Sequence, residues 1–559
     1  MEYSEEDTGT IILINGPLVQ VKGFSRAKIR DLCLISKFKI PGEIIKLVKK
    51  NPTNEKLAII QVFEDTSGIE LGDSAYCMNQ PLSMELGPGL LGTIIDGMQR
   101  PLMKYQEVSG GFLNRGLSFP ALDRNKIWHF KPVVSEGIWV SEGMVVGEVK
   151  ETSSIIHKII IPPGIKGQLS FIAQEGDYQV DMVIYKILSK GTEKNFKMYH
   201  KWPITSPRPY KKRLLPREPL ISGVRLIDCL FPITKGGSAA IPGGFGTGKT
   251  VMQQQFAKYC DADIILYIGC GERGNELADI LQKFPEMSDP FGNPLMDRTV
   301  VIGNTSNMPV SAREASIFSG ITIAEYFRDQ GYHVALMADS TSRWAEALRE
   351  ISGRLEELPA EGGYPAYLGK KLASFYERAG NVEILGSKGK KCSISIMGAV
   401  SPPGGDFSDP VVQITKRFIK TFWALDPKLA YARQYPAINW IESYSLYIDD
   451  VKEWWMNKID QDWGKFHEIM LRILHEDHEM QDLVRLLGAD SLPLQKQLTI
   501  FTANLIKKTF LLQNAFDPID QYCTPEKQAR MLRLFITYYL KASELLENGA
   551  PLFKLEEID

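Results

Sequence analysis

Over residues 1–75 apolar and polar positions alternate in short segments, Thr10 to Lys22 and Leu57 to Glu64. The turn residues Pro41-Gly42 and Asn51-Pro52-Thr53-Asn54 separate them. A period of two between turn signals predicts half-buried strands, and several in one short stretch predict a small β-barrel. A Gly/Pro-punctuated passage, Leu86 to Gly92, leads into Asp96 to Leu102 and reads as a connecting segment over 76–102. Residues 103–202 return to a β-rich pattern with Glu-Gly turns at Glu142-Gly143 and Glu175-Gly176. The two halves have the look of a barrel-sandwich insert of the lipoyl- and biotinyl-carrier shape. A carrier needs a modifiable Lys at a hairpin tip between apolar neighbours, and no such tripeptide is present, so a structural module is expected.

The Pro-rich, basic stretch Pro203 to Pro219 marks a change of pattern. Beyond it, wholly apolar runs (Ile264 to Ile268, Thr299 to Ile302, Val334 to Ala338, Ile394 to Met397) alternate with helical periodicity. Strands apolar on both sides and spaced by helices predict a parallel sheet covered on both faces, over 203–440. After Trp440 helical spacing takes over, as in Leu483, Leu486 and Leu487 and from Met531 to Leu545, and predicts a helical bundle over 441–559.

Composition narrows the function. A chain of 559 residues is long enough for several domains at about 150 residues each. Lys+Arg 65 against Asp+Glu 67 leaves a net charge of −2 and no basic excess to neutralise a phosphate backbone, so no nucleic-acid partner is expected. No apolar run approaches the ~20 residues of a membrane span, and the acidic start Met1-Glu2-Tyr3-Ser4-Glu5-Glu6-Asp7 is unlike a signal peptide. A soluble, cytoplasmic location is expected. The seven cysteines are scattered without a C-x-x-C pair, which suggests reduced thiols and neither a zinc site nor a disulfide framework.

The strongest chemical signal is Gly243-Gly244-Phe245-Gly246-Thr247-Gly248-Lys249-Thr250, a G-x-x-x-x-G-K-[ST] loop. A short apolar strand, Ser238 to Ile241, precedes it, and a helix opening at Val251 follows. Glycines let backbone N–H groups turn onto phosphates, Lys249 reaches the β/γ oxygens and the Thr250 hydroxyl holds Mg²⁺. The nucleotide-binding set is therefore Gly243, Gly244, Phe245, Gly246, Thr247, Gly248, Lys249, Thr250 and Val251, in an α/β P-loop (RecA-like) core. At the end of the next strand Glu272 can polarise an attacking water, with Arg273 steadying charge; a surface ion pair is the plain alternative. The strand Val334 to Ala338 ends in Asp339, placed to support Mg²⁺, and Arg343 four residues on can reach the γ-phosphate.

These segments, with Ala338 to Glu350, Tyr376 to Gly380, Ser401 to Ser408 and Tyr435 to Trp440, make the chain resemble the catalytic A subunits of rotary V/A-type ATPases. The likeness runs over nearly the whole length, and the β-rich stretch after Leu102 resembles the family's bulge insert. The resemblance implies ATP hydrolysis or synthesis coupled to H⁺ or Na⁺ transport. It implies an A3B3 heterohexamer with a B subunit, central rotor and peripheral stalk subunits, and a membrane sector, held at the inner face of the cell membrane. It also implies Tyr435 against adenine, with Phe516 as the opposite wall and a plain core aromatic as the alternative for each. The arginine finger is expected from the B subunit. Thr247 stands where eukaryotic members carry a Cys, and Gly244 where a Pro is frequent, so a prokaryotic type is implied. Two other readings are a homohexameric P-loop motor, such as a type III secretion ATPase or hexameric helicase, and a non-catalytic nucleotide-binding regulatory subunit.

Overall fold

The alternating pattern at the start of the chain closes into a six-stranded barrel: β1 (Asp7–Asn15), β2 (Leu18–Lys22), β3 (Asp31–Ile35), β4 (Ile40–Lys50), β5 (Glu55–Val62) and β6 (Ser74–Pro81), in the order β1-β2-β5-β4-β3-β6. Alternate residues point inward, so Ile11, Val19, Val21, Ile35, Ile44, Ile60 and Ala75 fill the lumen. Closure removes the exposed edges a flat sheet would carry. The last strand takes the barrel past residue 75. The computed structural model describes residues 7–50, 55–109, 119–289, 292–387 and 389–552. The acidic segment 1–6 and the turn at Asn51 to Asn54 lie outside them.

The chain divides into two compact units. Residues 1–213, 263–378 and 382–392 form the first. Besides the barrel it holds the insert, two four-stranded antiparallel sheets that share a core of Phe130, Val146, Leu169 and Ile187. It also holds the parallel strands Ile94–Ile95, Thr299–Thr305, Ile264–Glu272 and Val334–Asp339, in that order. The last three are buried along almost their whole length, as strands covered on both faces must be. Helix Val310–Asp329 packs on them. A buried polar chain ties the insert to this helix. The Glu151 carboxylate accepts from the backbone N–H groups of Gly89 and Leu91 at 2.7 and 2.9 Å and pairs with His157 Nδ1 at 2.6 Å, while His157 Nε2 meets the Tyr326 hydroxyl at 2.7 Å.

The second unit comprises 214–262, 379–381 and 393–559. Its strand Ser238–Pro242 runs parallel to 396–400 on one side and to Thr421–Phe422 on the other, with Tyr444–Ser445 antiparallel at the edge. The predicted bundle follows in helices Trp463–Leu487, Leu494–Leu505 and Pro525–Glu547. Leu498, Ile506, Leu532 and Ile536 are its buried stripe, and Trp455 stacks on Trp463 with ring centres 5.2 Å apart. The last helix starts as a cap predicts: the Thr524 hydroxyl accepts from Lys527 N at 3.4 Å, and Pro525 occupies the first turn.

Candidate functional site

The phosphate-loop residues lie in the second unit. The strand Ser238–Pro242 delivers the chain to Gly243, whose N–H donates to Val400 O at 3.0 Å. A Cβ on Gly243 would sit 2.6 Å from Thr247 Oγ1 and 2.8 Å from Leu425 Cβ, so only glycine fits. Gly246 and Gly248 have open space around them but φ of +76° and +90°, so there glycine answers to backbone conformation. Buried Thr247 pins the loop, its hydroxyl donating to Gly244 O at 2.9 Å. The Lys249 ammonium donates to Gly243 O at 2.9 Å and Gly244 O at 2.7 Å, inside the turn it belongs to. Helix Lys249–Tyr259 starts there, with Lys249 and Thr250 half-buried and Val251 at the surface. The first-turn N–H groups of the helix, its dipole and an ammonium at one place make an anion-binding corner. Phe245, 80% exposed at the loop tip, points to solvent.

Two predicted adenine walls are linked within the same unit. Tyr435, half-exposed and joined to Pro436 by a cis peptide, accepts at its carbonyl a hydrogen bond of 2.7 Å from Gln513 N. Phe516 follows three residues later, 82% exposed, its N–H on Asn514 Oδ1 at 3.0 Å. Arg225 supports this loop and was not singled out by any motif. Its guanidinium reaches Phe510 O, Leu512 O and the Asp520 carboxylate at 2.8, 2.6 and 2.6 Å, and its N–H bonds Gln513 Oε1 at 2.8 Å.

Glu272, Arg273, Asp339 and Arg343 lie in the first unit, at the carboxyl ends of neighbouring strands. Glu272 ends its strand beside Thr305, after a register shift at Gly271; its side chain lies outside the described residues. Gly269, three residues earlier, is in register with Asp339. Asp339 is buried, and its carboxylate accepts from the Tyr267 hydroxyl at 3.1 Å. Arg343 sits in the first turn of helix Thr341–Arg354 and bonds both oxygens of Glu346 at 3.2 and 2.9 Å. Gly271 has φ +71°, and a Cβ there would meet Arg343 Cβ at 2.7 Å. Glycine thus lets the turn before Glu272 pass against Arg343. Arg273 is exposed where helix Gly274–Glu286 begins. Arg313, which no motif indicated, lines the same turn: its Cδ is 3.6 Å from the Gly271 Cβ position, and Nη2 reaches Glu350 at 3.4 Å.

The A subunit of the A-type ATP synthase of Desulfurococcus sp. (strain SY) is 52% identical over 552 residues, 98% of this chain and 93% of the relative. The chain belongs to the A subunits of the A-type ATP synthases. The A subunit of Methanopyrus kandleri is 51% identical over 553 residues, covering 99% of this chain and 92% of its own. Family models match in chain order: the ATP synthase alpha/beta subunit barrel-sandwich domain at 119–205, the ATP synthase alpha/beta family nucleotide-binding domain at 223–445, and the C-terminal domain of V and A type ATP synthase at 452–552. The insert is therefore the barrel-sandwich module its Glu-Gly turns suggested. Within that family the chain is the ATP-handling catalytic component of an enzyme coupled to ion transport. The assembled ATPase EscN of the enteropathogenic E. coli type III secretion system shares the fold, with a TM-score of 0.65 over 94% of this chain and 100% of that one, at 22% identity. Identity near 50% over the full length favours the A-type ATP synthase reading over the secretion motor, the helicase and the non-catalytic regulator.

Proposed function

We propose that this chain binds ATP with Gly243, Gly244, Phe245, Gly246, Thr247, Gly248, Lys249, Thr250 and Val251, and turns it over with Glu272 as general base. The observation that carries the reading is the Lys249 ammonium held at the opening of its helix by the loop's own carbonyls. Backbone N–H groups of the loop take the phosphate oxygens, and Lys249 neutralises the β/γ charge. Glu272 takes a proton from the attacking water, while Arg273 and Arg343 steady the γ-phosphate. Tyr435 and Phe516 hold the adenine ring between them.

The chemistry of two candidate donors, each taken by itself, suits Mg²⁺. Thr250 and Asp339 offer a hydroxyl and a carboxylate, hard oxygens of the kind this ion takes alongside phosphates and water. Among the described residues no group of three or more His, Cys, Asp and Glu gathers as a ligand cluster. An ion held through one or two protein oxygens and the nucleotide needs none. When bound it neutralises phosphate charge during transfer.

In the assembly we propose, three copies alternate with three B subunits in an A3B3 ring around a central rotor stalk, braced by peripheral stalk subunits. The ring sits at the inner, cytoplasmic face of the membrane and couples to a membrane sector moving H⁺ or Na⁺. No helix among the described residues is long and apolar enough to cross a membrane, which suits membrane attachment through partners. The test is co-expression with a B subunit, followed by an ATPase assay. The chain alone should turn over slowly, because a missing trans arginine costs about 10³-fold or more, and the A3B3 complex should restore turnover. Fast hydrolysis by the isolated chain would refute the shared-site reading.

A further inference from the structure

Cys33 of β3 and Cys77 of β6 are register partners across an antiparallel ladder, both turned into the barrel and fully buried. Ser36 N donates to Ser74 O at 2.9 Å. Hydrogen-bonded pairs recur every second residue, so Leu34 and Tyr76 form the bonded pair, and Cys33 and Cys77 the non-bonded one. At non-bonded positions the Cα atoms approach to about 4.5 Å and side chains come closest. A disulfide bridges Cα atoms roughly 4.4–6.8 Å apart. The register alone therefore sets the two Cα atoms at a spacing a disulfide can span.

The surroundings give the pair a way to react. The β3–β6 ladder shifts register between Asp31 and Cys33, directly beside the pair. Cys77 Sγ lies 3.9 Å from Oδ1 of Asn79, an exposed residue near the end of β6, and 3.8 Å from the Asp31 carboxylate. The irregular end of the ladder, where pairing is weakest, lies directly beside the pair.

We propose that Cys33 and Cys77 are a redox-closable pair that forms a cross-strand disulfide when the chain meets a low-molecular-weight disulfide. The reaction starts from Cys77 as its thiolate, formed by loss of its proton to solvent when the irregular end of the ladder opens locally. The Cys77 thiolate attacks one sulfur of the reagent, forming a mixed disulfide and expelling one thiolate, which takes the proton of Cys33. The Cys33 thiolate then attacks the Cys77 sulfur and expels the second thiolate, which takes up from solvent the proton that Cys77 gave away. Two protein thiols are oxidised, and one small disulfide is reduced to two thiols.

The experiment uses the full chain and hydroxyethyl disulfide, followed by alkylation in denaturant and peptide mapping. Five of the seven cysteines should then alkylate, with the Cys33 and Cys77 peptides linked to each other and released by a dithiol. The oxidised chain should also melt at a higher temperature than the reduced one, since the bond closes a long loop. In Cys33→Ser the link should be absent and a mercaptoethanol adduct should accumulate on Cys77. Alkylation of both Cys33 and Cys77 in the treated wild-type chain, or a bond from either to another cysteine, would overturn the proposal.

Discussion

The N–H of Gln513 donates to the carbonyl of Tyr435 at 2.7 Å, and this one bond ties the loop carrying Phe516 to the cis turn that presents Tyr435. Both rings are exposed enough to accept a base against them without repacking the core. Base–aromatic stacking is worth about 1–3 kcal/mol. Tyr435→Ala should therefore weaken ATP affinity by about 5- to 100-fold, and Phe516→Ala should do so more mildly, with kcat little changed in either. Titration with a fluorescent ATP analogue, alongside steady-state kinetics on the assembled complex, reads both quantities.

Gly271 answers a steric demand of the turn before Glu272. Gly271→Ala places a methyl group 2.7 Å from Arg343 Cβ at a φ of +71°, so the turn must move. Small misplacements of reacting groups are costly. We expect kcat to fall by about tenfold or more while nucleotide affinity stays within a few-fold. Unchanged kcat would mean that the turn's position is immaterial.

Acid should loosen the contact between the insert and helix Val310–Asp329. Buried His200 accepts from Arg208 at 2.9 Å; burial first, then the positive Arg208 and His157, hold its pKa well below 6.5. Burial opposes the charge on Glu151, but His157 and the Leu91 and Gly89 N–H groups outweigh it and lower its pKa below 4.5. In both cases the unfolded chain binds more protons than the folded one, so stability falls with pH. The His200 contribution is present above pH 6.5 and is lost below it; that of Glu151 is present above pH 4.5 and is lost as pH drops through its lowered value. Thermal unfolding should show Tm falling from pH 7.5 to 5.5, with a shallower fall in His200→Gln. Tyr326→Phe, which strips His157 Nε2 of its partner, should cost about 1–3 kcal/mol at neutral pH.

The sequence made the repeating and the glycine-dependent parts of this molecule readable. Alternation over Thr10 to Lys22 and Leu57 to Glu64 marked the barrel because a closed barrel buries every second residue. The glycine pattern from Gly243 to Gly248 marked the phosphate loop because those positions demand glycine, for want of space at one and for positive φ at two others. The supports were illegible. Arg225 lies 295 residues from Asp520, Tyr326 lies 169 residues from His157, and Arg313 reaches the Gly271 turn from a separate helix. Nothing in local spacing announces such partners, because the fold alone brings them together. Cys33 and Cys77 looked scattered for the same reason: a β-ladder pairs residues 44 positions apart.

The central claim is that one carboxylate, Glu272, drives the chemistry on a nucleotide bound by the Gly243 to Val251 loop. The most direct measurement is single-turnover hydrolysis by the Glu272→Gln variant in the assembled complex, with ATP binding measured in parallel. Binding should stay within a few-fold of wild type, while the hydrolysis rate falls by about 10²-fold or more, the size of a lost general base. Turnover near wild type with intact binding would contradict the account.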